Sequence, residues 1–100
     1  MKINITEQEG KLIATLEGKL DTAASVQASG QLAALHQCEG RNIEIDCSRL
    51  TYISSSGLRL FLNVRKHAAA LGSQVALVGV SGDILDVLQT TGFSNLFEIK

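Results

Sequence analysis

Apolar and polar residues alternate through "KINITEQEGKLIATLEG" at the start of the chain. Ile3 and Ile5, then Leu12, Ala14 and Leu16, recur at period two on either side of Glu9-Gly10, which predicts a β-hairpin. Gly18 is expected to end its second strand. The period then changes. In "LDTAASVQASGQLAALHQC", Ala24, Val26, Ala28, Leu32 and Leu35 fall on or near one helical face, Asp21 or Thr22 can cap the start, and Gly40 can stop the helix. "NIEIDCS" alternates again, with Ile43, Ile45 and Cys47 on one face. "GLRLFLNVRKHAAALG" reads as a helix closed by Gly72, and "QVALVGV" as a central strand covered on both faces. A short helix follows in "GDILDVLQTTG", with Asp83 as its expected cap and Gly92 as its stop. "LFEIK" supplies a short edge strand.

The predicted order is β-β-α-β-α-β-α-β: an α/β fold whose mixed, mostly parallel sheet has helices packed against it. Sites in such sheets form where strands lead into helices. The Gly18–Thr22 and Ser54–Gly57 loops both lie at such ends, so one rim is expected to carry both. No proline, low-complexity tract or repeat interrupts the 100 residues, which reads as one domain, 1–100.

Composition narrows the function. A formal net charge of −1, with dispersed basic residues, gives no nucleic-acid footprint. No apolar run reaches the length of a membrane span. Without a signal-peptide pattern, Cys38 and Cys47 read as buried free thiols in a cytoplasmic protein. They have no CxxC spacing, and no metal site or cofactor is expected.

The chemistry concentrates in "TYISSSGLRLFLNV". Ser54 or Ser55 can cap the helix that follows. A nucleophilic serine would need a base, but His36 ends the first helix and His67 lies roughly 15 Å along the second. Neither a GxSxG elbow nor a GxxxxGK[ST] loop is present, so an enzyme is not expected. A serine that is itself the substrate suits the position better. Phosphoserine in a helix's first turn meets free N–H groups and the positive end of the dipole. The fold tolerates the new charge, while a docked partner meets a dianion.

Three segments in order resemble the STAS domain family: "LEGKLDTAAS", "IEIDCSRLTYISSSGLRLFL" and "QVALVGVSGDILDVLQTTGFSNLFEI". The resemblance spans nearly the whole chain. It implies the STAS fold and, at this size, a stand-alone anti-sigma factor antagonist. By position it makes Ser56 the phosphoacceptor, with Ser55 the alternative. The family's partner would be an anti-sigma factor serine kinase, bound by the unphosphorylated form so that the sigma factor is freed. A phosphatase acting on phosphoserine would reset the switch. Asp21, Thr22, Ser54, Ser55, Gly57, Leu58 and Arg59 are the expected partner-binding residues. Ser54 stands where the motif usually begins with Asp, and Asp46 lies too far back along the strand to replace it. The alternative is a STAS scaffold subunit of a lipid-transport or sensor complex, although the lipid-transport versions tend to carry Thr-Gly-Gly-Leu where this chain has "SSGL". The expected state is a monomer or a weak homodimer through a strand edge.

Overall fold

A computed structural model of the chain describes every residue except Glu39 and Ser81. The elements are β1 (Lys2–Gln8), β2 (Lys11–Leu20), α1 (Thr22–Leu32), β3 (Ile43–Ile53), α2 (Ser55–Ala70), β4 (Val75–Val78), α3 (Gly82–Thr90) and β5 (Glu98–Ile99). Short 3-10 segments, Ala33–Gln37 and Phe93–Asn95, follow α1 and α3. The strands form one five-stranded sheet in the order β1-β2-β3-β4-β5. Only β1 and β2 pair antiparallel; the other pairs are parallel, as crossover helices require.

Pairing register sorts the sheet into two faces. Leu12 pairs with Ile43 and Ala14 with Ile45, and these partner Val75 and Leu77 in turn. This row is buried, together with Leu32 of α1, Phe61 and Val64 of α2, and Leu88 of α3, in one apolar cluster. The opposite row sets Ile13 beside Glu44 beside Ala76. On it Glu44 accepts from Lys100 Nζ at 3.1 Å and from Lys11 Nζ at 3.4 Å.

The Lys100 hydrogen bond, with help from Lys11, holds the Glu44 carboxyl below its usual range. A carboxyl depressed in the folded state stabilises above its unfolded value of 4.5 and stops doing so as pH falls through the folded value. Glu44→Gln is therefore expected to lower the thermal midpoint most at neutral pH. The gap from wild type should close in acid, and shrink with salt because both lysines are partly exposed. Parallel melts across pH 3–7 would expose an error here, since a gap that widens in acid contradicts the pairing.

Local rules explain most boundaries. Gly72, at φ 76°, ends α2 in a left-handed cap. Its N–H donates to Ala69 O at 3.1 Å and the Ser73 N–H to Ala68 O at 2.8 Å. Four expectations need correction. Gly18 does not end β2, which runs on to Leu20. Its φ of 107° accommodates the register shifts against β3, and pairing resumes beyond it. Gly40 does not stop α1, because the chain tightens into 3-10 turns after Leu32 and so buries Leu35 and Cys38. Asp83 lies inside the first turn of α3, which begins at Gly82. The last strand holds only Glu98 and Ile99, because Phe93–Asn95 closes as a 3-10 turn.

Both cysteines are free and buried. Burial, reinforced by Asp46, pushes the Cys47 thiol up to about 12, which makes it a poor nucleophile and a poor ligand. The Cys38 Sγ donates to Ser73 Oγ at 3.3 Å. Among the described residues no helix is long and apolar enough to cross a membrane.

Candidate functional site

The site is built where β2 and β3 end side by side. Leu20 pairs with Ile53, so the next residues, Asp21 and Ser54, leave neighbouring strands at the same edge. The Ser54 N–H donates to Leu20 O at 2.9 Å and stitches the two exits together. Each exit residue then caps a helix. The Asp21 carboxylate accepts from the Ala24 N–H at 2.8 Å, and Ser54 Oγ from the Gly57 N–H at 3.1 Å. Two helix N-termini therefore open on one rim, each with its positive dipole end outward. Of the alternative caps weighed for each helix, the geometry selects Asp21 over Thr22 and Ser54 over Ser55.

With Ser54 as cap, Ser55 and Ser56 are the first two residues of α2. Their N–H groups precede any helical carbonyl partner. Ser55 is exposed and Ser56 half-buried. Ser56 borders a hollow of about 240 Å³ between the two helices, lined also by Thr22, Ser25 and Val26 of α1 and by Arg59 and Leu60 of α2. Ser25 is held there by its own backbone bond, Oγ donating to Asp21 O at 2.7 Å. The histidines stack on each other at the far end of α2, so no imidazole serves this rim. Among the described residues no group of three or more metal-ligating side chains occurs.

The residues expected to meet a partner divide here. Thr22, Ser55 and Arg59 are exposed, and Asp21 caps at the surface. Leu58 is turned inward at 6% exposure, and Ser54 and Gly57 are buried with it. The correction for Leu58 follows from packing: it is buried on the face it shares with Phe61, while Arg59, about 100° further round α2, is exposed. Val26 was missed as a rim residue. The structure leaves it 76% exposed, beside Ser56 at the hollow. Its offset of two from both Ala24 and Ala28 was the available signal.

Gly57 faces a packing demand. A Cβ there would stand 2.8 Å from Leu20 Cγ and 2.9 Å from Ile53 Cγ1, the residues that fix the two strand exits. Leu20 is fully buried, so a shift of its side chain would have to be taken up by the surrounding core. Gly57→Ala is expected to cost about 1–3 kcal/mol, the usual penalty of overpacking. Chemical denaturation measures it. An unchanged midpoint would mean that the exits yield easily.

The family model of the STAS domain matches residues 2–100. A candidate anti-sigma factor antagonist, BtrV, of Bordetella bronchiseptica is 32% identical over 99 residues, covering 99% of this chain and 85% of that protein. An anti-sigma-factor antagonist (STAS) domain protein from Planctomyces limnophilus has the same fold. Its TM-score is 0.88 at 21% identity, covering 98% of this chain and 87% of that one. The Bacillus cell fate determinant SpoIIAA in its phosphorylated form also matches, with a TM-score of 0.73 at 20% identity over 99% of this chain and 91% of that one.

Proposed function

Since the chain belongs to the STAS domain family, we propose that it is a cytoplasmic anti-sigma factor antagonist with no catalysis of its own. Unphosphorylated, it docks an anti-sigma factor serine kinase on the rim formed by α1 and α2, and the sigma factor is released. The kinase phosphorylates Ser56, the complex separates, and a phosphatase acting on phosphoserine restores the binding form. The observation that carries this reading is the placement of Ser56. It is half-buried at the edge of a hollow, in the first turn of a helix, with both histidines at that helix's far end.

The chemistry follows from that placement. A phosphate on Ser56 adds a charge of about −1.5 to −2 within reach of free helix N–H groups. It therefore leaves α2 intact. A partner seated on Val26, Leu60 and Ser56 would instead have to bury that charge against apolar surface. Arg59 lines the same hollow and supplies a guanidinium for the phosphate or for an acidic group of the kinase.

The test uses wild-type protein as bait in a lysate of its own organism, followed by ATP and phosphosite mapping of the bait. A captured kinase that modifies Ser56 supports the reading. Modification at Ser55 would move the switch to its neighbour. A captured ATPase or scaffold that leaves both serines unmodified would favour a structural subunit instead.

A further inference from the structure

His36 and His67, far apart in the sequence, meet at the end of α2 opposite the serines. His36 lies in the 3-10 segment Ala33–Gln37 and His67 in the last turn of α2. Their rings lie face to face, with centroids 3.7 Å apart and planes 4° from parallel. The stack forms the outer side of a joint whose inner side is apolar. Leu35, one residue before His36, and Cys38, two residues after it, are fully buried in the core. Cys38 Sγ also donates to Ser73 Oγ at 3.3 Å, which ties the end of the segment to the loop after α2.

The His67 ring is held from behind. Its Nδ1 is 2.8 Å from the carbonyl oxygen of Asn63, one turn back on α2. A carbonyl only accepts, so Nδ1 carries a hydrogen in the neutral ring and in the cation alike. A proton gained at Nε2 therefore leaves that bond intact. The surrounding charges do not favour a doubly charged pair. Lys66 lines the same hollow as His67, and Arg41 donates to the carbonyls of Gln37 and Cys38 just beyond His36. The α1 helix, which also packs on the segment, carries no charged residue between Thr22 and Leu32. Glu7 is paired with Arg41, and among the described residues no carboxylate forms an ion pair with either histidine.

We propose that the stacked pair is a proton-operated latch, which keeps the 3-10 segment on α2 while at least one ring is neutral and releases it when both are protonated. One imidazolium meets a neutral face and is tolerated. Two meet as like charges at a separation that leaves little room for screening water. Asn63 holds the ring of His67 to α2, so relief falls to the 3-10 segment, and Leu35 and Cys38 reach solvent more often. Burial, and then the charge of His67, hold His36 below its ordinary value of 6.5. A histidine depressed in the folded state stabilises above its unfolded value. That contribution is lost as pH falls below 6.5, because the opened chain takes the proton more readily.

The experiment labels the full chain with dithiodipyridine, a disulfide reagent that still reacts with thiols in acid, between about pH 7.5 and 5.5. Mass spectrometry maps the label, and each rate is divided by that of the urea-denatured chain at the same pH. Cys38 labelling, so corrected, is expected to rise by roughly three- to tenfold in wild type, the span that one depressed histidine allows over this interval. Cys47 in β3 should stay protected, which shows that the fold as a whole has not opened. His36→Gln and His67→Gln should each remove most of the rise. Glu39 is the carboxylate nearest His36 in the sequence, and Glu39→Gln should remove none of it. The ring C–H signals of His36 in wild type should titrate below pH 6.5, a readout that does not depend on how the variants fold. No acid rise at Cys38 in wild type, an equal rise in both histidine variants, a rise abolished by Glu39→Gln, Cys47 labelled in step with Cys38, or a His36 that titrates at or above 6.5 would each overturn the latch.

Discussion

Ser56→Asp is expected to weaken binding to the kinase by about a hundredfold or more, while Ser56→Ala binds as wild type does but accepts no phosphate at that position. The magnitude follows from setting a fixed carboxylate against a surface complementary to a hydroxyl, which costs several kcal/mol when desolvated. The fold should not share in the loss. An acidic residue in the first turn of α2 interacts favourably with the helix dipole, by about 0.3–1 kcal/mol, so the Asp variant should melt at or slightly above wild type. Titration calorimetry with the purified kinase, beside thermal melts, separates the two effects. Ser55→Asp is the internal control. Ser55 is exposed, one residue from Ser56 and outside the hollow's lining, so a smaller effect is expected there. If Ser55→Asp blocks binding and Ser56→Asp does not, the phosphoacceptor is Ser55. If neither blocks binding, the rim is not the docking surface.

Phe61→Ala is expected to cost about 3–5 kcal/mol, the range for deleting a buried aromatic ring. Phe61 is fully buried on the inward face of α2, and its ring meets Phe97 edge-on, with centroids 6.5 Å apart. Its loss would therefore loosen both the helix and the C-terminal segment that Phe97 anchors. For a domain of this size the cost corresponds to a drop of roughly 15–30 °C in melting temperature. It is also a large fraction of the ordinary stability of about 5–15 kcal/mol. Phe61→Leu keeps most of the volume and should lose under half as much. Equal losses for the two variants would show that ring shape, rather than a cavity, dominates this position.

Much of the rim was legible because capping chemistry acts within four residues. Asp21 reaches the Ala24 N–H and Ser54 the Gly57 N–H, both three residues on. The spacing of each polar residue before an apolar helix announces such a bond. That the two loops share an edge was also legible, since parallel strands that feed helices bring their carboxyl ends together. Leu58 was not legible as a buried residue, because the apolar positions of α2 cover more than one face. Only the packing of α1 and the 3-10 segment decides which of them are covered. Leu60 and Leu62 end half-buried against the core, while Leu71 is left 48% exposed.

The sequence by itself determined the order of elements, the sheet's mixed direction, the capped helix entrances and the serine run in the first turn of α2. Each rests on periodicity or on bonds between near neighbours in the chain, which residue identity sets directly. Tertiary structure alone decided that β2 continues through Gly18, that Leu58 is covered while Leu71 is left exposed, and that His36 and His67 stack. Those outcomes depend on pairing and packing between residues distant in the chain, where each position answers to the surface that reaches it rather than to its neighbours in sequence.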